Sequence, residues 1–302
     1  MQPQRNVSPL IFVVLLGLLI ISPAVAQTYT TIDYPSAPNS FATDINDSGQ
    51  IVGEYQYGAS FGKQRYGYLL SGGIFTPIIF PGSSFTRAVA INRYGDIVGD
   101  HAKGVNNGNG QDYGYLLHNG VFTSIRFPNS DSTIPAGINS NGDIVGWYLD
   151  SVGTHGFLLS RGIYTSIDFP GSAAFTQAWK INDSGEIVGR YEDADDNKHH
   201  MFVLSNGDFA PVPDVPGAFD TAVVEDGGLN NAGHIVSQYC SFKSCSLFNG
   251  GIHGFLMSGA LYTTFDPPGS IGTTAFGLDS FDDIVGAYVY ANGTIHGYLR
   301  TP

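Results

Sequence analysis

The chain reads as an all-β, six-bladed β-propeller closed by pairing of its N- and C-terminal strands. Three observations predict it: a phrase that returns six times, a hairpin joining each copy to the next, and two end strands that are each other's missing partner. The expected organisation is a signal peptide over 1–26 and a single six-repeat domain over 27–302.

The phrase resembles I-N-x-x-G-x-I-V-G and begins at Ile45, Ile91, Ile138, Ile181, Leu229 and Leu278, at intervals of 46, 47, 43, 48 and 49 residues. That period belongs to four-stranded propeller blades and other stacked units. In the third copy the strands read as Phe122 to Phe127, Ile134 to Ile138, Asp143 to Tyr148 and His155 to Leu159, separated by turn residues rather than helical runs.

The turn inside the phrase has a physical cause. Asn46, Asn92, Asn139, Asn182, Asn230 and Asp279 share one position, where a short polar side chain accepts a hydrogen bond from the backbone two residues on. Gly49, Gly95, Gly142, Gly185 and Gly233 follow three residues later and suit positive φ; Asp282 replaces glycine in the last copy and tolerates the same geometry at higher cost. In the strand that follows, Ile144, Gly146 and Tyr148 point one way and Val145 and Trp147 the other. Isoleucine is retained at the Ile144 position, which predicts burial. The Trp147 position carries Glu54, Asp100, Arg190, Gln238 or Ala287 elsewhere, and this chemical variety predicts exposure.

A second phrase is Tyr66-Gly67-Tyr68-Leu69, Tyr113-Gly114-Tyr115-Leu116, His155-Gly156-Phe157-Leu158, His200-Met201-Phe202-Val203, His253-Gly254-Phe255-Leu256 and His296-Gly297-Tyr298-Leu299. A short turn and an aromatic-rich strand such as Tyr164 to Phe169 come next, which reads as a hairpin. At the two ends, Tyr29 to Tyr34 and His296 to Leu299 are left as halves of that hairpin. Pairing first with last removes two exposed edges and favours a ring over an open solenoid. The two phrases together resemble those of extracellular HAF repeat proteins, over roughly Tyr29 to Leu299. Tyr66 and Tyr113 depart from that pattern where histidine is expected, and the resemblance carries no specific activity.

Met1 to Ala26 has a polar start with Arg5, an apolar run from Leu10 to Ile21, and Ala24-Val25-Ala26 before Gln27. This is the pattern of an export signal, and a 12-residue apolar run is short of the roughly 20 residues that span a bilayer. The expected location is secreted, extracellular or at the cell surface, with no membrane span in the mature chain. Cleavage would leave 12 basic against 26 acidic side chains, a formal charge of −14. Such a surface repels phosphate backbones, so nucleic acid is not an expected partner. Export also permits a disulfide between Cys240 and Cys245, the only cysteines, closing a small loop.

Chemistry is sparsely signalled. His155, His200, His253 and His296 suit metal in type, but equivalent positions in different blades are not brought to one ion by the repeat, so blade-turn packing is the expected role and neither metal nor cofactor is expected. Asp193, Asp195 and Asp196 do not follow the spacing of an EF-hand calcium loop and read as a solvated acidic loop. Nor is there an H-E-x-x-H helix or a P-loop.

The candidate surface is the end of the I-V-G strand, where Tyr55, His101, Tyr148, Tyr191, Tyr239 and Tyr288 precede connections that differ between copies: 103–112, 192–196 and the cysteine-bearing one. Tyr55, Trp147, Tyr148, Tyr191 and Tyr288 are the expected ligand contacts, with blade packing as the alternative for the tyrosines. No catalytic residue is assigned. The expected function is a binding or structural interaction module for a glycan or a surface protein, the alternative an extracellular polysaccharide hydrolase or lyase.

Overall fold

The computed structural model describes residues 27–57, 64–102, 112–196, 198–221 and 226–302. The export segment at 1–26 and the loop residues 103–111 lie outside the described residues. Regular structure among the described residues is strand throughout, with no α-helix.

After β1 (Thr28–Ile32), the strands β2 (Asn39–Ile45), β3 (Ile51–Gln56), β4 (Arg65–Ser71) and β5 (Ile74–Ile78) pair antiparallel in sequence order. The same meander is made by β6 (Phe85–Ile91), β7 (Ile97–Ala102), β8 (Asp112–His118) and β9 (Val121–Ile125). It recurs in β10 (Ser132–Ile138), β11 (Ile144–Leu149), β12 (Thr154–Ser160) and β13 (Ile163–Ile167). A further copy is β14 (Ser172–Ile181), β15 (Ile187–Asp193), β16 (His199–Ser205) and β17 (Asp208–Pro211). Next, the short β18 (Asp220–Thr221) and β19 (Gly228–Leu229) both pair with β20 (Ile235–Cys240), which leads to β21 (Ile252–Ser258) and β22 (Leu261–Phe265). The last unit is β23 (Gly272–Leu278), β24 (Ile284–Val289) and β25 (Ile295–Thr301). Its fourth strand is β1, which runs antiparallel to β25 with Thr28 opposite Thr301 and Ile32 opposite Gly297.

The turn side chains work as their chemistry requires. Asn46 Oδ1 accepts from the Ser48 and Gln50 amides, both at 3.1 Å, and the other copies repeat the bonds. Gly49 has φ +69°, and Asp282 takes the same left-handed region at φ +62°. The Asn Nδ2 also reaches the neighbouring copy: Asn46 donates to Asn92 O, Asn92 to Asn139 O, Asn139 to Asn182 O, Asn182 to Asn230 O, and Asn230 to Asp279 O, at 3.0 to 3.4 Å.

Burial between units fills both faces of the I-V-G strands. Ile51, Ile97, Ile144, Ile187, Ile235 and Ile284 are buried, and so are the valines that follow each of them. Tyr55 stacks on Tyr34 with ring centroids 3.6 Å apart, His101 on Phe80 at 3.6 Å, Tyr148 on Phe127 at 3.7 Å and Tyr191 on Phe169 at 3.6 Å. Each partner lies in the segment entering the same unit, so the rings fasten that segment to its strand.

The histidines of the second phrase have carboxylate partners one strand away. His155 Nδ1 lies 2.6 Å from Asp168, His253 Nδ1 2.8 Å from Asp266, His296 Nδ1 2.9 Å from Asp33, and His200 Nδ1 3.4 Å from Asp214. Where tyrosine replaces histidine, the aspartate changes too. Arg126 sits over the Tyr113 ring at 5.1 Å, and Ile79 takes the position in the copy that carries Tyr66.

Candidate functional site

In five of the six units the first strand carries a bulge just before the repeated phrase, and the bulges turn side chains into the interior. Register shifts fall between Ala42 and Asp44, Ala88 and Ala90, Pro135 and Gly137, Ala178 and Lys180, and Ala275 and Gly277. A bulge adds one residue on one strand, bends it and re-aims its side chains.

The position ending these bulges is Asp44, Ala90, Gly137, Lys180, Gly228 or Gly277 across the copies. Lys180 Nζ crosses from the fourth copy to Asp44 Oδ2 of the first, 3.1 Å away. The Ile91 amide donates to the same oxygen at 3.0 Å, and Lys180 Nζ is 3.5 Å from Val89 O. Burial pushes the Asp44 carboxyl above its usual range, and Lys180 partly opposes this. Small neighbours make the room: a Cβ on Gly277 would collide with Asp44, and one on Gly137 would lie 2.9 Å from Lys180 Cα. On the turn side of this pair, residues of all the Asn turns, including Asn46, Asn92, Asn139, Asn182, Asn230 and Asp279, line one polar depression of about 300 Å³.

On the other side the copies diverge. The residue inside each bulge is Thr43, Val89, Ala136, Trp179 or Phe276. Beyond it come the register pairs Phe41 with Glu54, Arg87 with Asp100, Ile134 with Trp147, Gln177 with Arg190, and Thr274 with Ala287. Trp179, Trp147, Ile134, Ala136 and Met201 pack into one apolar cluster and fill the interior beside the third and fourth copies. The remaining space is a cavity of about 460 Å³ bounded by copies one, two, five and six.

That cavity has apolar walls from Phe41, Val89, Leu247, Ile252 and Phe276, and charged ones from Glu54, Arg65, Arg87 and Asp226. Leu247 comes from the connection after β20. Cys240 and Cys245 are joined there with Cα atoms 5.9 Å apart, and Cys245 and Ser246 are themselves part of the wall. Arg65 pairs with Glu54 Oε1 at 3.2 Å, and Arg87 Nε donates to Asp100 Oδ1 at 2.8 Å. Burial opposes the Arg87 charge, but Asp100, Glu54 and Asp226 outweigh it and raise its pKa. Burial likewise raises Asp100 against the pull of Arg87, and pushes Asp112 up to about 6 with Asp100 adding to the shift.

The expected contacts are therefore relocated. Trp147 is buried at 4% exposure, not exposed, because both faces of the I-V-G strand lie against neighbouring material and alternation does not select solvent. Tyr55, Tyr148, Tyr191 and Tyr288 are also buried, the first three against the rings named above and Tyr288 edge-on to Tyr290. Sequence reasoning missed Glu54, Arg65 and Arg87. The signal for Glu54 was the chemical variety at the Trp147 position, which marks a copy-specific interior. In the acidic loop, Asp193 Oδ1 accepts from the Asp195 amide at 2.7 Å and Asp196 Oδ1 from the Lys198 amide at 2.9 Å, so these carboxylates close local turns.

No family model matches the sequence, and no curated protein matches it. Solved structures do. A TolB-like protein from Agrobacterium tumefaciens is 15% identical, with 88% of this chain and 91% of that one aligned at a TM-score of 0.58. The Aleuria aurantia lectin, in complex with Fucα1-6GlcNAc, is 13% identical over 86% and 91% of the two chains, at a TM-score of 0.52. The β-propeller domain of the trilobed protease from Pyrococcus furiosus is 10% identical over 86% and 81%, at a TM-score of 0.51. Likeness at this identity concerns architecture alone. The chain has the β-propeller fold.

Proposed function

We propose that the protein is a secreted binding module of the HAF repeat type: a six-bladed propeller sealed by β1 on β25, which takes its ligand into the cavity bounded by Phe41, Glu54, Arg87, Leu247 and Phe276. Support for the ring comes from the terminal strand pairing, the cross-copy Asn bonds and the Lys180–Asp44 contact. Support for the export reading is the pattern of residues 1–26.

One observation carries the binding reading. The cavity is about 460 Å³, inside the range of small-ligand sites, and combines apolar walls with a few buried charges that fix orientation. It admits one or two sugar units or a single protruding side chain. A glycan is the favoured ligand and a surface protein the other, and the lectin's sugar complex shows that a related fold serves such recognition. The alternative of a polysaccharide hydrolase or lyase has less support, since Glu54 and Asp100 are each held by an arginine rather than facing one another across an open gap.

A glycan array with residues 27–302, followed by a pull-down against surface proteins, tests the reading. Thr274, a buried wall residue, supplies the control: Thr274→Phe fills the cavity and abolishes binding while the melting curve stays cooperative. Binding that survives this substitution places the ligand elsewhere. Release of new reducing ends or unsaturated sugar products moves the protein to the enzymatic class.

A further inference from the structure

Arg65 and Arg87 bring two positive groups to the cavity wall and Glu54 and Asp226 two negative ones, with Asp100 behind Arg87 as a third carboxylate. The arginines are also engaged already, Arg65 by Glu54 and Arg87 by Asp100. Among the described residues, both cations of the wall are already paired with carboxylates.

One carboxylate oxygen has an unmet need. Glu54 is buried at 6% exposure, its Oε1 contacts Arg65, and its Oε2 has no hydrogen-bond partner. A buried acceptor left unpaired is costly, and a ligand donor that satisfies it recovers that cost. That oxygen is itself enclosed, and since the terminal torsion of a glutamate is broad, a partial turn of the carboxylate is what brings it to the cavity. Beside the charged groups the wall is apolar and includes Phe41 and Phe276, aromatic rings of a kind that attracts cations as well as hydrocarbon.

We propose that the cavity binds a compact organic ammonium, with the protonated amine donating to Glu54 and the carbon body lying against Phe41, Phe276 and Leu247. The proposal rests on the cavity being the binding site and adds the ligand's charge. The same chemistry is offered by a small free amine and by a de-acetylated amino sugar unit.

Titration calorimetry on residues 27–302 separates these. The probes are phenethylammonium, its neutral and anionic counterparts 2-phenylethanol and phenylacetate, glucosamine oligomers and N-acetylglucosamine oligomers. The expected result is that at least one ammonium probe binds tenfold or more tightly than its uncharged counterpart. Phenethylammonium alone identifies free amines; glucosamine oligomers alone identify the amino sugar. Glu54→Gln keeps the shape and removes the charge, and it should weaken ammonium binding at least tenfold with the melting curve intact.

The idea is overturned if no ammonium probe binds at millimolar concentration, if the neutral or anionic counterparts bind as well, or if Glu54→Gln leaves the affinity unchanged. Thr274→Phe distinguishes the two failures. A ligand that is lost in Thr274→Phe but kept in Glu54→Gln retains the cavity and removes the ammonium; one that survives both removes the cavity as well.

Discussion

Lys180 Nζ lies 3.1 Å from Asp44 Oδ2, an ion pair that joins the fourth copy to the first through the interior. The other copies place alanine or glycine at the equivalent position. Both side chains are nearly enclosed, with relative exposures of 7% and 11%, so each charge depends on the other for solvation.

Lys180→Met should therefore destabilise strongly, by about 3–5 kcal/mol, because it strands a buried carboxylate. The paired replacement Asp44→Leu with Lys180→Met should recover most of that loss. In the single variant the loss should shrink on acidification. Asp44 has a folded pKa raised by burial, so the folded state binds more protons above the ordinary carboxylate range and stability falls as pH rises through that window. Urea melts at pH 4 and pH 7 measure both effects.

Asp279 interrupts the series of cross-copy asparagine bonds. It keeps the local turn, accepting from the Phe281 amide at 2.9 Å and the Asp283 amide at 3.0 Å, but it has no Nδ2 to donate to Asn46 O. Burial pushes its carboxyl up to about 6, the two amides oppose this, and the Asp283 and Asp47 carboxylates add to the rise. The raised pKa means that stability declines between the unfolded value near 4 and pH 6 and stays low above it. Asp279→Asn should raise stability at pH 7 by about 1–2 kcal/mol, after allowance for solvent screening, and gain much less at pH 4. An equal gain at both pH values would assign it to the new hydrogen bond alone.

Trp147→Ala should cost about 3–5 kcal/mol, since it empties part of the cluster formed with Trp179, Ile134 and Met201. A chemical-denaturation midpoint close to the parent's would show the ring to be dispensable. This reverses what strand alternation alone suggests for the residue.

Tyr113 and Arg126 should be coupled, as His155 and Asp168 are. Tyr113→His and Arg126→Asp each break a pair, and the double substitution rebuilds the His–Asp arrangement of other copies. A double-mutant cycle should give a favourable coupling of about 0.5–1 kcal/mol, modest because the groups are partly exposed. Strict additivity would make the matched residues coincidental.

Much of the framework was legible in the residues themselves. The Asx turns, the buried isoleucines and the pairing of Thr28–Ile32 with Ile295–Thr301 follow from local chemistry repeated with a fixed period. The cavity was not legible, because it arises where Phe41, Arg87 and Thr274 converge from copies far apart in sequence. Glu54 and Asp100 looked solvent-facing since charge at a variable position ordinarily signals water. Three of the His–Asp pairs were readable from a spacing of 13 or 14 residues, the fourth, His296 with Asp33, joins the two ends of the chain, and the joint change to Tyr113 and Arg126 was the clue.

The register pairs that include Phe41 with Glu54 and Ile134 with Trp147 sit inside a shell whose Asx turns and buried isoleucines recur from copy to copy. On the binding reading proposed above, specificity drifts by exchanging one or two residues in a single copy while the shell is inherited unchanged. An engineer who rewrote those few positions would be recoding recognition without redesigning a fold.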